Sequence, residues 1–147
     1  MELKELIQIW KEDCKIDDTE LGQESTRIPN LHAKYLEIFS EERMKLRSLQ
    51  IKRKKMYQVL SDYYRGDLNN QEDLKSIGRE PWAKTVLRGD IGDYVNSDDE
   101  MLILNSKIGV IEEKISVLEN ILKALNNRGF QIKSAIEWHK LTNFGGY

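Results

Sequence analysis

The chain has 147 residues, of which 33% are charged and 39% are hydrophobic, and its formal net charge is −2. This length fits a single domain with a modest core. No apolar run is long enough to cross a membrane, the N-terminus lacks the pattern of a secretory signal, and Cys14 is the only cysteine. We therefore expect a cytoplasmic protein without disulfide bonds.

Two helices are predicted in the N-terminal half. The first covers residues 2–12, which carry apolar side chains at helical spacing. The second is a long central helix with apolar residues at helical spacing over residues 21–63. Pro29 lacks an N–H donor and crowds the preceding turn, so it is expected to kink this helix or split it. Gly66 is expected to end it in the left-handed conformation.

Residues 67–97 have a different composition, with three glycines, one proline and many Asp and Asn residues. This composition is typical of loops. We expect one short helix or strand at most, around Trp82–Leu87. A connection of this length inside a small domain is usually functional or mobile.

The last major helix has the clearest pattern in the chain. Ser97 and Glu100 form an S-x-x-E capping box, and apolar residues then alternate at spacings of three and four. The apolar stripe is wider than a two-stranded coiled coil requires, so we expect this helix to contact two neighbours. Arg128-Gly129 is expected to end the helix, and a short final helix is predicted from Gln131 to Lys140. The residues expected to hold subunits together are Leu104, Ile108, Ile111, Ile115, Leu118, Leu122 and Leu125.

The predicted fold is therefore mainly α: a long kinked central helix, a loop-rich segment, a heptad-patterned C-terminal helix and a short final helix. We divide the chain, within one structural domain, into an N-terminal helical part (1–66), an acidic loop-rich part (67–97) and a C-terminal helical part (98–147) that is expected to hold subunits together.

Positive charge is concentrated in the central helix. Residues 32–66 contain nine basic and four acidic side chains, and residues 43–55, called the basic segment below, contain seven cations in thirteen residues. A basic track beside aromatic rings is the usual combination in proteins that bind single-stranded nucleic acid without sequence preference. Tyr63 continues the apolar stripe and is expected in the core. The candidate DNA-binding residues are Arg43, Lys45, Arg47, Lys52, Arg53, Lys54, Lys55, Tyr57, Tyr64 and Arg65.

Signatures of catalysis are missing from the sequence, which has no Walker, nucleophile-elbow, H-E-x-x-H or C-x-x-C motif. His32 and His139 lack partners at metal-ligand spacing, and the acidic residues 90–100 lack the EF-hand pattern. We expect no enzyme activity, no metal and no cofactor.

Four short stretches occur together in a recognisable order. They are Ile16-Asp17-Asp18-Thr19 with Leu21, Asp62-Tyr63-Tyr64 with Gly66, Lys84-Thr85-Val86-Leu87, and Arg128-Gly129-Phe130 with Ile132 and Lys133. In these stretches and their spacing the chain resembles the UvsY family, the recombination mediator proteins of T4-type phages.

The resemblance implies a function in DNA recombination and repair inside the infected host cell. Members of that family bind single-stranded DNA and displace the phage single-strand binding protein or weaken its binding. They also promote assembly of a RecA-like recombinase filament. They form closed homo-oligomeric rings of six or seven subunits, for which the C-terminal part is needed, and they hydrolyse no nucleotide.

One family feature is absent. Family members place a Lys-x-Arg pair, implicated in DNA binding, just before the Asp-Tyr-Tyr motif, whereas this chain has Gln58, Val59 and Leu60 there. The candidate site therefore rests on the basic segment itself. Two alternatives stay open: the basic segment could be a merely solvated face, and the chain could be a structural coiled-coil adaptor that binds no nucleic acid.

Overall fold

The protein is mainly helical, as predicted, in a computed structural model that describes residues 1–144 (Phe144 by its backbone only). Two helices of 45 and 46 residues dominate it, and the described residues contain no strand. None of the helices in this range has the length and hydrophobicity of a membrane span. The elements are α1 (Leu3–Asp13), α2 (Leu21–Arg65), α3 (Gln71–Ile77), a 3₁₀ turn (Arg88–Asp90), α4 (Ile91–Ser97) and α5 (Asp99–Phe144).

The chain forms two compact units, each of which uses part of both long helices. The first unit comprises residues 1–44 and 110–147, and the second comprises residues 45–109. The described part of the first unit has a core in which α1, α2 and α5 meet, formed by Leu6, Leu31, Tyr35, Leu118, Ile121 and Leu125. The second unit has its own core, formed by Leu60, Tyr63, Tyr64, Leu74, Ile91, Val95 and Met101.

Helix α2 is continuous through Pro29, so of the two outcomes predicted there, a kink or a split, the split is excluded. Residues on both sides of the proline are held in the first unit: Glu24 pairs with Arg128 at 2.8 Å, and Leu31 is buried. These contacts compensate for the one hydrogen bond that proline cannot donate. The predicted end of the helix is confirmed, since Gly66 has a φ of +82° and the N–H of Asp67 donates to the carbonyl of Asp62 at 3.0 Å.

Residues 67–97 contain more helix than their composition predicted. Helix α3 begins after Asn70, whose side chain accepts a hydrogen bond from the N–H of Glu72, and it ends at Gly78 with a φ of +67°. Residues 82–87 form neither the helix nor the strand expected there. The prediction was wrong because short helices are set by their caps and by single buried residues such as Leu74, which leave little periodicity to detect.

Helix α5 differs from the prediction at both ends. It begins at Asp99 after Asp98, whose carboxylate accepts from the N–H of Glu100 at 3.0 Å, whereas Ser97 is the last residue of α4. The predicted stop at Arg128-Gly129 and the separate helix from Gln131 to Lys140 are wrong, because α5 continues through both to Phe144. Gly129 has no positive φ.

The continuation of α5 has a physical reason in Arg128. Its guanidinium donates to the carbonyls of Asp13 at 2.7 Å and Lys15 at 2.9 Å and pairs with Glu24. Arg128 is therefore a buried anchor in the middle of the helix, and the buried Ile132 continues the packed face one turn later.

Candidate nucleic-acid interface

The basic segment lies on α2, and its seven cations are all exposed. Among the described residues, Arg47 and the run Lys52–Lys55 have neither an ion pair nor a hydrogen bond from their charged groups. Arg43 belongs to the first unit, where its guanidinium stands 5.5 Å from the centre of the Phe39 ring. The other six belong to the second unit. An unpaired cation at a surface is available to a phosphate without first breaking a salt bridge.

Part of the basic segment forms an open depression on one side of α2. It is lined by Arg47, Gln50, Ile51, Arg53, Lys54 and Tyr57. The Tyr57 side chain is 40% exposed and Ile51 is 57% exposed, so an aromatic ring and an apolar side chain lie among three cations. The hydroxyl of Tyr57 approaches α4, where it would stand 3.4 Å from a methyl group added at Gly92. The Tyr57 hydroxyl therefore lies near α4, while its side chain lines the depression.

A second groove contains a cation that the sequence did not indicate. It is lined by Lys52 and Met56 of α2 and by Glu100, Ile103, Leu104 and Lys107 of α5. The basic segment therefore presents Lys52 in a different groove from Arg47, Arg53 and Lys54. The sequence did not indicate Lys107 as a DNA-binding residue, because it lies in the helix that was predicted to hold subunits together. A single lysine on such a helix is normally interpreted as a solvated side chain.

Tyr64 was a candidate for base stacking, but the structure places it in the core of the second unit. It is 8% exposed, and its ring lies 4.7 Å from that of Trp82. Its hydroxyl donates to Asp98 at 2.6 Å. A stacked base would need the ring faces that these neighbours cover, so the interpretation of Tyr64 as a stacking residue is corrected. Tyr63 is buried as predicted, and its hydroxyl donates to the carbonyl of Glu80.

Two further arginines in the second unit differ from the cations of the basic segment. Arg65 pairs with Asp62 and, at 3.3 Å, with Asp67. Arg79 donates two hydrogen bonds to Asp98, at 2.6 and 2.7 Å. Burial raises the pKa of Asp98, but the hydrogen bonds from Arg79 and Tyr64 outweigh it, so the pKa of this carboxyl lies below its ordinary value. Arg65 and Arg79 are therefore already paired with carboxylates of the same chain.

The residues predicted to hold subunits together are largely inside the subunit. Leu104, Ile108, Leu118 and Leu125 are buried, and Ile111, Ile115 and Leu122 are half-buried. Three large apolar side chains further along α5 in the first unit are exposed instead. Phe130, Trp138 and Leu141 are 71%, 65% and 67% exposed, and helical geometry puts them within an arc of about 80°.

Neither histidine gathers metal ligands. His139 lies 3.0 Å from the carboxylate of Asp18, and His32 is half-buried on α2. Within residues 1–144 no group of three or more His, Cys, Asp or Glu side chains is arranged to hold a metal ion.

Comparisons with known proteins agree with this geometry. The sequence profile of a family described as "Recombination, repair and ssDNA binding protein UvsY" matches residues 9–145. No curated protein sequence matches the chain significantly. Three crystal structures of the recombination mediator protein UvsY of bacteriophage T4 have similar folds. The lattice type II structure has a TM-score of 0.84 at 21% identity, and the match covers 97% of this chain and 98% of the other. For lattice type I the TM-score is 0.83 at 20% identity, with 94% and 98% covered. For lattice type IV it is 0.85 at 20% identity, with 96% and 99% covered.

Proposed function

The chain belongs to the UvsY family of recombination, repair and ssDNA-binding proteins, and on that premise we propose that its basic segment binds single-stranded DNA without sequence preference. The observation that carries this proposal is a set of exposed cations on α2 in the second unit that have no ion pair among the described residues: Arg47, Lys52, Arg53, Lys54 and Lys55. Arg43 and Lys45 flank this set, and Arg65 contributes less because two carboxylates already engage it.

The depression around Tyr57 supports a preference for single strands. Unpaired bases expose ring faces that a paired duplex hides, and stacking on an aromatic side chain contributes about 1–3 kcal/mol per base. Tyr57 offers such a ring next to Arg47 and Lys54, and Ile51 adds apolar surface. Contacts of cations to phosphate and stacking on an aromatic ring carry no sequence information, so we expect binding without sequence preference.

We further propose that the protein is a recombination mediator that acts as a homo-oligomeric ring. One basic segment is a weak electrolyte site, and several copies in one assembly bind one strand far more tightly, because each later contact is intramolecular. DNA held in this way is kept from the phage single-strand binding protein and presented to a RecA-like recombinase in the cytoplasm of the infected cell. Support comes from family membership and from the likeness to the T4 recombination mediator.

For the assembly surface, burial of the heptad face favours the exposed apolar arc of α5, Phe130, Trp138 and Leu141, over the residues first expected. Large apolar side chains at this exposure usually mark an interaction surface. Phe130→Asp with Trp138→Asp is expected to give smaller species in light scattering with unchanged helicity. Lys133→Asp, an exposed position outside the arc, should leave the assembly at full size.

The binding proposal is tested with Lys52→Ala, Lys54→Ala and Lys55→Ala combined. Fluorescence polarisation with labelled oligo-dT at about 50 mM salt should show much weaker binding, because three phosphate contacts are lost. The matched control combines Lys4→Ala, Lys11→Ala and Lys123→Ala, which removes the same charge from exposed lysines of the first unit. Equal affinities for the two variants would contradict the site. Absence of binding by the unsubstituted protein would favour a structural adaptor instead.

A further inference from the structure

Lys107 lies in α5 and lines the groove shared with Lys52 of α2. The side chains of this groove are suited to contact a DNA phosphate. The floor is apolar, formed by Met56, Ile103 and Leu104, and Lys52 and Lys107 are the two cations of the lining. Both lysines are exposed, and within residues 1–144 neither has an ion pair. Glu100 also lines the groove, but its carboxylate lies 3.4 Å from Arg79 and therefore has a cation of its own.

The cations of α2 are arranged around the helix as well as along it. At about 100° per residue, Lys52, Lys55 and Lys54 follow one another over an arc of about 160°. Lys52 faces the groove that contains Lys107, and Lys54 faces the depression that contains Tyr57. Lys55 lines neither and lies between them on the arc. A continuous series of unpaired cations therefore connects the two sides of the helix.

A DNA strand that ran along the axis of α2 toward its C-terminal end would meet fewer unpaired cations and exposed rings. There Arg65 is held by Asp62 and Asp67, and Tyr64 is buried. A strand that follows α2 in that direction leaves the unpaired cations within two turns. A strand that crosses α2 stays in contact with them and reaches α5.

We propose that Lys107 contacts the DNA backbone and that a single strand crosses α2, from the Lys52–Lys107 groove over Lys55 to the depression around Tyr57. This inference rests on the proposed binding of single-stranded DNA by the basic segment and adds a contact residue and a direction to it. Lys107 contacts phosphate, since its groove holds no aromatic ring, whereas Tyr57 contacts a base.

The test is Lys107→Ala in the full-length protein, measured by fluorescence polarisation with labelled oligo-dT over a series of salt concentrations. One phosphate contact on a single strand contributes about 0.7 to the slope of log affinity against log salt. Between about 1 M and 50 mM salt this corresponds to about an eightfold loss of affinity at the lower concentration for each engaged subunit. Lys107→Arg keeps the charge and should bind like the unsubstituted protein. The control is Lys123→Ala, another exposed lysine of α5.

Arg47→Ala with Lys54→Ala separates this inference from the binding proposal. If that variant loses affinity and Lys107→Ala loses about eightfold or more, the crossing path is supported. If that variant loses affinity while Lys107→Ala matches Lys123→Ala, the crossing path is overturned and the binding proposal stands. If all of these variants bind alike, the binding proposal is contradicted, and the path with it. Circular dichroism of each variant confirms that helicity is kept.

Discussion

Two sets of cations in this molecule differ in what surrounds them. The part of the basic segment in the second unit is dense in charge and exposed, and within residues 1–144 Arg47 and Lys52–Lys55 have no ion pair. Arg79, Lys114 and Arg128 are isolated along the chain, yet each is largely buried beside a carboxylate: Asp98 at 2.6 Å, Glu42 at 3.1 Å and Glu24 at 2.8 Å. Removing one partner of a buried pair lowers the free energy of unfolding, because the other charge is left buried without a counter-ion. Substitutions should therefore separate stability from DNA binding.

The largest effect is expected from Arg128→Ala, which removes a guanidinium that joins Asp13, Lys15 and Glu24. Loss of one member of a buried pair costs about 3–5 kcal/mol of unfolding free energy. Arg27→Ala is the matched control, since Arg27 pairs with the same Glu24 at 3.2 Å and with Asp13 at 3.5 Å, but its side chain is 40% exposed. Its loss should therefore cost less, on the order of 1 kcal/mol. Urea denaturation measures both. Similar losses for the two variants would contradict the division between buried and exposed cations.

Asp98→Asn tests the second buried network and its dependence on pH. It is expected to cost about 1.5–3 kcal/mol at pH 7, because Arg79 loses a charged partner. The pKa of Asp98 is lowered from 3.8, so the stability it contributes is present above that value and is lost as pH falls through the folded pKa. The stability difference between the unsubstituted protein and the variant should therefore begin to narrow below about pH 4 and continue to narrow as pH falls further. A difference that stays constant from pH 7 to pH 3 would contradict the pairing.

The two tyrosines should show opposite effects. Tyr57→Ala removes a ring from the depression and is expected to weaken binding of oligo-dT by about 1–3 kcal/mol per stacked base. Tyr64→Phe removes the hydrogen bond to Asp98 and should lower the unfolding free energy by about 1–3 kcal/mol with unchanged affinity. Titration and denaturation of both variants give the comparison. A loss of affinity with Tyr64→Phe would contradict the assignment of Tyr64 to the core and would support a role in DNA binding.

The smallest effect on the fold is expected in the basic segment. Arg47→Ala with Lys54→Ala should change the unfolding free energy by at most about 0.5 kcal/mol, because exposed side chains without partners contribute little. A large loss of stability would mean that these cations have structural partners, and the comparison between the two sets would fail.

The sequence predicted those parts of the fold that depend on local pattern. The run of apolar residues from Met101 to Leu125 predicted the first half of α5, and Gly66 predicted the end of α2. Both signals act within one or two turns of the chain. The basic segment was found for the same reason, since its seven cations are contiguous in the sequence.

Features that depend on distant partners could not be predicted in this way. Arg128 followed by Gly129 resembles a helix end, but its partners Asp13 and Glu24 lie more than 100 residues earlier. Tyr64 resembles an exposed ring until Trp82 and Asp98 cover it. Lys107 gains a neighbour in Lys52 only when α2 and α5 pack in the second unit.

The central claim is that the basic segment binds DNA because Arg47 and Lys52–Lys55 are exposed and, within residues 1–144, unpaired. Its most direct test is the salt dependence of oligo-dT binding by the unsubstituted protein and by the variant with Lys52→Ala, Lys54→Ala and Lys55→Ala. Three phosphate contacts at about 0.7 each predict that the slope of log affinity against log salt becomes shallower by about 2 for each engaged subunit. Equal slopes for the two proteins would contradict the claim.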